Sequence, residues 1–105
     1  AGLSIPAQLP DYLCKQIQDL AIRTFRILEC LGMARIDMFL TQDEKIYVNE
    51  INTIPGFTNS SMYPMMWNER GIGFTELITR LITLAEQRHE ASQRIARDFT
   101  SALPY

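Results

Sequence analysis

Little in this sequence points to nucleic acid, a membrane or export. Ten basic residues against twelve acidic ones leave a formal net charge of −2. That balance gives no electrostatic reason to expect a polyanion or an anionic lipid surface. The basic residues are scattered apart from a loose group near the C-terminus, Arg88, Arg94 and Arg97. No apolar run approaches the roughly 20 residues of a membrane span. The N-terminus also lacks the charged segment and apolar run of a signal peptide. Cysteine is scarce too: Cys14 and Cys30 fall sixteen residues apart in one predicted helix. At 1.5 Å per residue their Cα atoms would lie roughly 24 Å apart, beyond disulfide reach. Free thiols fit a reducing compartment. The single histidine, His89, sits in a polar stretch and reads as a surface side chain. There is no repeat, low-complexity tract or flexible linker. The expectation is a soluble, cytoplasmic chain with neither nucleic acid nor membrane as partner.

What is present is ordinary in bulk and specific in detail. An apolar content of 47% and a charged content of 21% are those of a globular protein. The length fits one domain, which buries only about two-thirds of its unfolded surface. The chain opens on Ala1-Gly2-Leu3-Ser4 without methionine, which suggests a proteolytic product, an excised piece or part of a longer gene product. Residues 1–10 hold two prolines and read as extended. Asp11 can cap a helix running to about Leu31, with Leu13, Ile17, Leu20, Ala21, Thr24, Leu28 and Leu31 forming an apolar stripe. Gly32 is placed to end it in a left-handed conformation.

The period then changes to two. Met33 to Thr41 and Lys45 to Asn52 read as a β-hairpin with a loop of about four residues. Residues 53–73 form a long connection with Pro55, Gly56, Pro64, Gly71 and Gly73, a length uncommon in a compact domain without a function. A second helix is predicted from Phe74, with Gly73 as N-cap and Leu77, Ile78, Leu81, Ile82 and Ala85 as its apolar side. Beyond Gln87 it becomes polar, a solvated or fraying end. The fold class is therefore α+β: a helix, an antiparallel β-hairpin, a long loop and a C-terminal helix.

The hairpin carries the chemistry. Thr41 can pair with Lys45 or with Ile46; the second register sets Asp37 opposite Glu50 and Arg35 opposite Asn52. Residues two apart share a face of a strand, so all four would project together. The other face would hold Ala34, Ile36, Met38, Leu40, Tyr47 and Ile51, interrupted only by Asn49. Opposed carboxylates repel unless something lies between them. Asp37, Glu50 and the Asn52 carboxamide make an all-oxygen set, suited to magnesium or manganese rather than zinc. Magnesium takes few protein ligands and completes its shell with water and phosphates, and Arg35 could bind a transferring phosphoryl group. The plainer alternative is a solvated polar face, and a one-residue slip would break the pairing. The next residues, Thr53-Ile54-Pro55-Gly56-Phe57-Thr58, continue from the acidic strand. Gly56 lets backbone N–H groups approach a ligand, and Ser60 and Ser61 can donate to a carboxylate. Alone, this stretch would be a plain Pro-Gly turn. The cluster Met62, Met65, Met66 and Trp67 reads as part core, part apolar surface.

Taken together, Arg35-Ile36-Asp37, Asn49-Glu50-Ile51-Asn52-Thr53-Ile54-Pro55-Gly56-Phe57-Thr58 and Ser61-Met62-Tyr63-Pro64 resemble the C-terminal part of D-alanine–D-alanine ligases of the ATP-grasp superfamily. The likeness runs through Trp67 and Gly71 into Glu76-Leu77-Ile78 and covers roughly residues 1–90. It implies that residues 1–105 are the C-terminal part of an ATP-grasp domain, beginning just after the lid loop. It implies that Asp37, Glu50 and Asn52 hold two magnesium ions, which manganese can replace, on the ATP phosphates. Arg35 and the Gly56 backbone would stabilise the transferred phosphoryl group and the tetrahedral intermediate. Ser61 and Met62 would bind the second D-alanine, the serine on its carboxylate. Relatives that join D-alanine to D-lactate or D-serine typically carry arginine at the Met62 position, so Met62 favours D-alanine. The reaction implied is phosphorylation of one D-alanine to an acylphosphate and attack by the amine of the second, giving the dipeptide used in peptidoglycan. The N-terminal domain, the central lysines on the α- and β-phosphates and the lid would lie elsewhere in the protein, whose full-length form is a candidate homodimer. Two alternatives remain at this point: another ATP-grasp carboxylate–amine ligase, or a stand-alone metal-binding scaffold domain.

Overall fold

The first helix, α1, starts at Asp11 and stops at Ile27, four residues short of the expected end. Asp11 is its first helical residue, with Pro10 in the capping position and no side-chain cap. The stop is made by backbone bonds. The Cys30 N–H donates to the Phe25 carbonyl at 2.9 Å and the Glu29 N–H to the Arg26 carbonyl at 3.1 Å. This is the Schellman pattern, in which the residue after the C-cap adopts the left-handed conformation. Here that residue is Glu29, at φ 54°, rather than a glycine. Gly32, at φ 74°, shapes the connection that follows, with Arg88 of the last helix beside it. A side chain with a Cβ is strained at positive φ. Glu29→Gly is therefore expected to stabilise the protein by about 0.5–1 kcal/mol, the strain relief exceeding the extra chain entropy. A urea midpoint that stays put or falls would show that Glu29 is not strained there.

The computed structural model describes residues 3–102. After α1 come β1 (Arg35–Leu40), β2 (Ile46–Asn52), α2 (Met62–Glu69) and α3 (Phe74–Ala102). The two strands pair antiparallel as a single hairpin. Its loop has three residues, one fewer than expected. The Thr41 N–H donates to the Lys45 carbonyl at 2.9 Å, and Glu44, at φ 64°, supplies the left-handed position that follows the tight turn. The Tyr12 hydroxyl on α1 donates to the Glu44 carboxylate, tying the helix to the hairpin tip.

α2 was not expected. It occupies the middle of the connection that the prolines and glycines mark as a loop. Pro64 is the third helical residue, and the first turn needs no intrahelical N–H from it. The helix ends on Gly71 at φ 87°, where the Ile72 N–H reaches the Trp67 carbonyl at 3.0 Å. α3 begins at Phe74 as expected, the Leu77 N–H donating to the Gly73 carbonyl at 2.9 Å. Beyond Gln87 it runs on to Ala102, the solvated helix end of the two outcomes expected.

The core lies where the connection meets α2 and α3. Leu13, Tyr63 and Leu77 are buried, as are Pro55 and Pro64. Phe57 stacks at a tilt on Tyr63 (5.9 Å) and on Phe74 (5.4 Å), and Tyr63 meets Trp67 edge-on at 6.4 Å. Burial raises the Tyr63 phenol above its ordinary pKa. Much of the remaining apolar surface is open: Ile27 is 73% exposed, Leu31 64% and Phe39 60%. Met66 and Trp67 are exposed while Met62 and Met65 are half-covered. The radius of gyration, 17.9 Å, exceeds the ~13 Å of a compact chain of this length, because α3 projects from the rest.

Candidate active site

Alternation along β1 puts Arg35, Asp37 and Phe39 on one side of the hairpin. The ion pair between the first two bears this out. Arg35 Nε donates to Asp37 Oδ1 at 3.0 Å and Nη2 to Oδ2 at 3.1 Å, a two-pronged contact between side chains 20% and 33% exposed. Across the hairpin Arg35 pairs with Asn52 and Asp37 with Glu50, the register expected for the open end. At the closed end the other register holds, with Met38 opposite Val48, Phe39 opposite Tyr47 and Leu40 opposite Ile46. Both readings are thus present, joined by a bulge in which Asn49 has no partner across the hairpin.

The bulge corrects one expectation. Tyr47 opposes Phe39, so it stands on the Arg35 side and not on the apolar face, where Ile46 and Val48 take its place. Phe39 and Tyr47, 60% and 54% exposed, therefore flank the charged cluster. Alternation alone cannot reveal an extra residue, and bulges occur next to active sites because they re-aim side chains.

The electrostatics centre on one cation. The hydrogen bond with Asp37 raises the Arg35 guanidinium further above its already high pKa; desolvation opposes this, and the charges of Asp37 and Glu50 add to it. Arg35 thus stays protonated and partly offsets two opposed carboxylates. Asn52 is fixed differently, its carboxamide oxygen accepting the Ile54 N–H at 3.0 Å where the strand becomes the loop. Among the described residues no group of three or more His, Cys, Asp or Glu side chains is gathered for a metal. The hairpin offers two carboxylates and one carboxamide, an oxygen-only donor set suited to a hard cation whose remaining ligands come from elsewhere.

Gly56 and Ser61 form a second group. A Cβ at Gly56 would lie 3.2 Å from Ser61 Oγ, so the glycine leaves the space the hydroxyl fills. Ser61 is the N-cap residue of α2 but makes no side-chain cap. Its hydroxyl instead accepts the Thr58 N–H at 3.0 Å and lies 2.8 Å from the Thr58 hydroxyl. Met62 is the first residue of α2 and half-covered. Thr58 escaped the sequence reading because its bond to Ser61 closes through a turn that no periodicity signals. An open cleft of about 430 Å³, lined by Ile5, Pro64, Met65 and Phe74 among others, contains none of the candidate residues.

The cysteines and histidine take no part in this geometry. Cys14 and Cys30 are free thiols, and Cys30 lies past the end of α1 rather than within it. Among the described residues no helix is long and apolar enough to cross a membrane.

Residues 1–83 match the family described as D-ala D-ala ligase C-terminus. D-alanine–D-alanine ligase A of Salmonella typhimurium is 50% identical over 95 residues, covering 90% of this chain and 26% of that protein. Among solved structures, the D-alanine–D-alanine ligase of Coxiella burnetii superposes with a TM-score of 0.89 at 47% identity, over 90% of this chain and 27% of the other. The Bacillus anthracis D-alanine–D-alanine ligase, solved in complex with ATP, gives a TM-score of 0.75 at 27% identity, over 81% of this chain and 30% of the other. The chain thus spans about a quarter of the length of the curated relatives it matches. Since the family match takes in both the paired hairpin and the loop to Ser61, the chain belongs to the D-alanine–D-alanine ligase C-terminal family.

Proposed function

We propose that this chain forms one wall of the active site of an ATP-dependent D-alanine–D-alanine ligase, as the C-terminal part of an ATP-grasp domain that begins just after the lid loop. The observation that carries the reading is the hairpin register: Arg35 opposite Asn52 and Asp37 opposite Glu50, running directly into the loop from Gly56 to Ser61. The name of the Salmonella relative and the ATP complex of the Bacillus anthracis protein support the same substrates here.

Asp37, Glu50 and Asn52 would hold magnesium, two ions per site with manganese as a substitute, since all three offer oxygen and the two carboxylates face each other. Bound there, the metal would neutralise the ATP phosphates. Arg35 uses Nε and one terminal nitrogen on Asp37, which leaves N–H groups for the phosphoryl group in transfer. The Gly56 backbone is open to the same ligand. A carboxylate oxygen of one D-alanine attacks the γ-phosphorus and displaces ADP. The amine of the second D-alanine then attacks the acylphosphate carbon, phosphate leaves, and the dipeptide for peptidoglycan remains. Ser61 donates to the carboxylate of that second D-alanine, and uncharged Met62 lines its pocket. This is cytoplasmic chemistry.

The wall alone lacks the clamp for ATP and the site for the first D-alanine, and positioning supplies much of the rate of phosphoryl transfer. The full-length protein carrying this segment is expected to release phosphate from ATP in proportion to added D-alanine, and the 105-residue chain to release none. A full-length protein indifferent to D-alanine would sink the reading. Turnover by the chain alone would sink the claim that it needs the remainder.

A further inference from the structure

Ser61 Oγ is hemmed in on three sides. The Thr58 N–H donates to it at 3.0 Å, the Thr58 hydroxyl lies 2.8 Å away, and Gly56 backs it so closely that a Cβ would come within 3.2 Å. The Ser61 N–H returns a bond to the Thr58 carbonyl at 3.0 Å, closing the turn. The hydroxyl makes no bond to the helix it precedes. Its commitments are to Thr58.

A serine hydroxyl has one proton and accepts through two lone pairs. The Thr58 N–H fills one lone pair. Only one proton lies between the two hydroxyls, and its direction decides what Ser61 can do. When Ser61 donates to Thr58, no proton is left for an anion. When Thr58 donates to Ser61, both Ser61 lone pairs are filled and its proton must point away from the turn. Thr58 Oγ1 can then accept from the Ser60 hydroxyl, 3.4 Å away. A carboxylate at the mouth of the loop favours this second arrangement, because it needs a donor and repels lone pairs.

We propose that Thr58 is a positioning residue, its hydroxyl donating to Ser61 so that the Ser61 proton is turned onto the carboxylate of the acceptor amino acid. The inference rests on the reading of Ser61 as the group that binds that carboxylate. It adds that Ser61 works through a pair of hydroxyls, with Thr58 touching no substrate.

The test uses the full-length protein with Thr58→Val, Thr58→Ser and Ser61→Ala, assayed by phosphate release under a two-site rate law. Thr58→Val keeps the shape and the backbone N–H but removes the hydroxyl. It is expected to raise the KM for the acceptor D-alanine about 3–10-fold, the effect of losing one supporting hydrogen bond. The kcat and the KM for ATP should stay within about twofold, and Thr58→Ser should restore the acceptor KM. An unchanged acceptor KM in Thr58→Val, with a raised one in Ser61→Ala, overturns the role of Thr58 and leaves that of Ser61 standing. An unchanged acceptor KM in Ser61→Ala overturns the underlying reading instead. If Thr58→Val does not fold, the comparison passes to Thr58→Ser and Thr58→Ala: the same acceptor KM in both counts against the proposal, and a rise confined to Thr58→Ala supports it.

Discussion

Replacing Glu50 with glutamine in the full-length protein that carries this chain is expected, on the proposed function, to lower kcat by about 10²–10³-fold while leaving the fold intact, the scale seen when one transition-state charge contact is removed. The fold should survive because Glu50 is exposed and no side-chain hydrogen bond or ion pair holds it among the described residues. Such a surface position contributes within about 0.5 kcal/mol to stability. Nothing structural therefore requires a carboxylate there, and it stands opposite Asp37, where a like charge is unfavourable. The glutamine is nearly isosteric and removes that repulsion together with Glu50's attraction for Arg35, so a protein that used Glu50 only as a solvated side chain would tolerate it. A ligase that uses Glu50 to hold magnesium would lose activity and need more magnesium to recover part of it. Phosphate release measured against magnesium concentration separates the two, and a kcat within about threefold of the parent would remove Glu50 from the proposed metal set.

How far such a site can be read from sequence depends on which physical signals reach the residue pattern. The open end of the hairpin was legible because alternation and a short loop restrict the register to two choices. One of them brought Arg35, Asp37, Glu50 and Asn52 together, as found. That both registers occur was not legible, since an unpaired Asn49 leaves no compositional trace. Tyr47 was assigned to the wrong face for that reason. The end of α1 was misread because glycine was expected at its left-handed position, and the chain places Glu29 there instead. α2 was hidden by its own Pro64, which breaks a helix interior but is harmless in a first turn. The apolar stripes on α1 and α3 follow the predicted period, yet Ile78 and Ile82 on α3 stay exposed, since period reports which face is apolar and not what covers it. Likeness to the ligases narrows the role proposed for the site further than pattern can, because a polar hairpin face has many uses.

The other large effect expected is at Arg35. Arg35→Ala should lower kcat by about 10²–10³-fold, and Arg35→Lys should recover only part of the loss. Two contributions are removed together. The guanidinium holds both oxygens of Asp37, at 3.0 and 3.1 Å, and so fixes the carboxylate that faces Glu50. It also sets a positive charge beside the phosphoryl group in the proposed transfer. A lysine brings back the charge as a point but cannot grip both Asp37 oxygens in one plane. Partial recovery by lysine would therefore measure the charge, and the remaining deficit would measure the fixing of Asp37. Arg35, a guanidinium whose high pKa Asp37 raises further, keeps this charge throughout the neutral range in the unsubstituted protein. The deficit of Arg35→Ala should accordingly be constant with pH there, and a deficit that closes as pH rises would mean that a different, titrating group carries the effect. Full activity in Arg35→Lys would show that only charge is used, and full activity in Arg35→Ala would leave Arg35 as no more than the partner of Asp37.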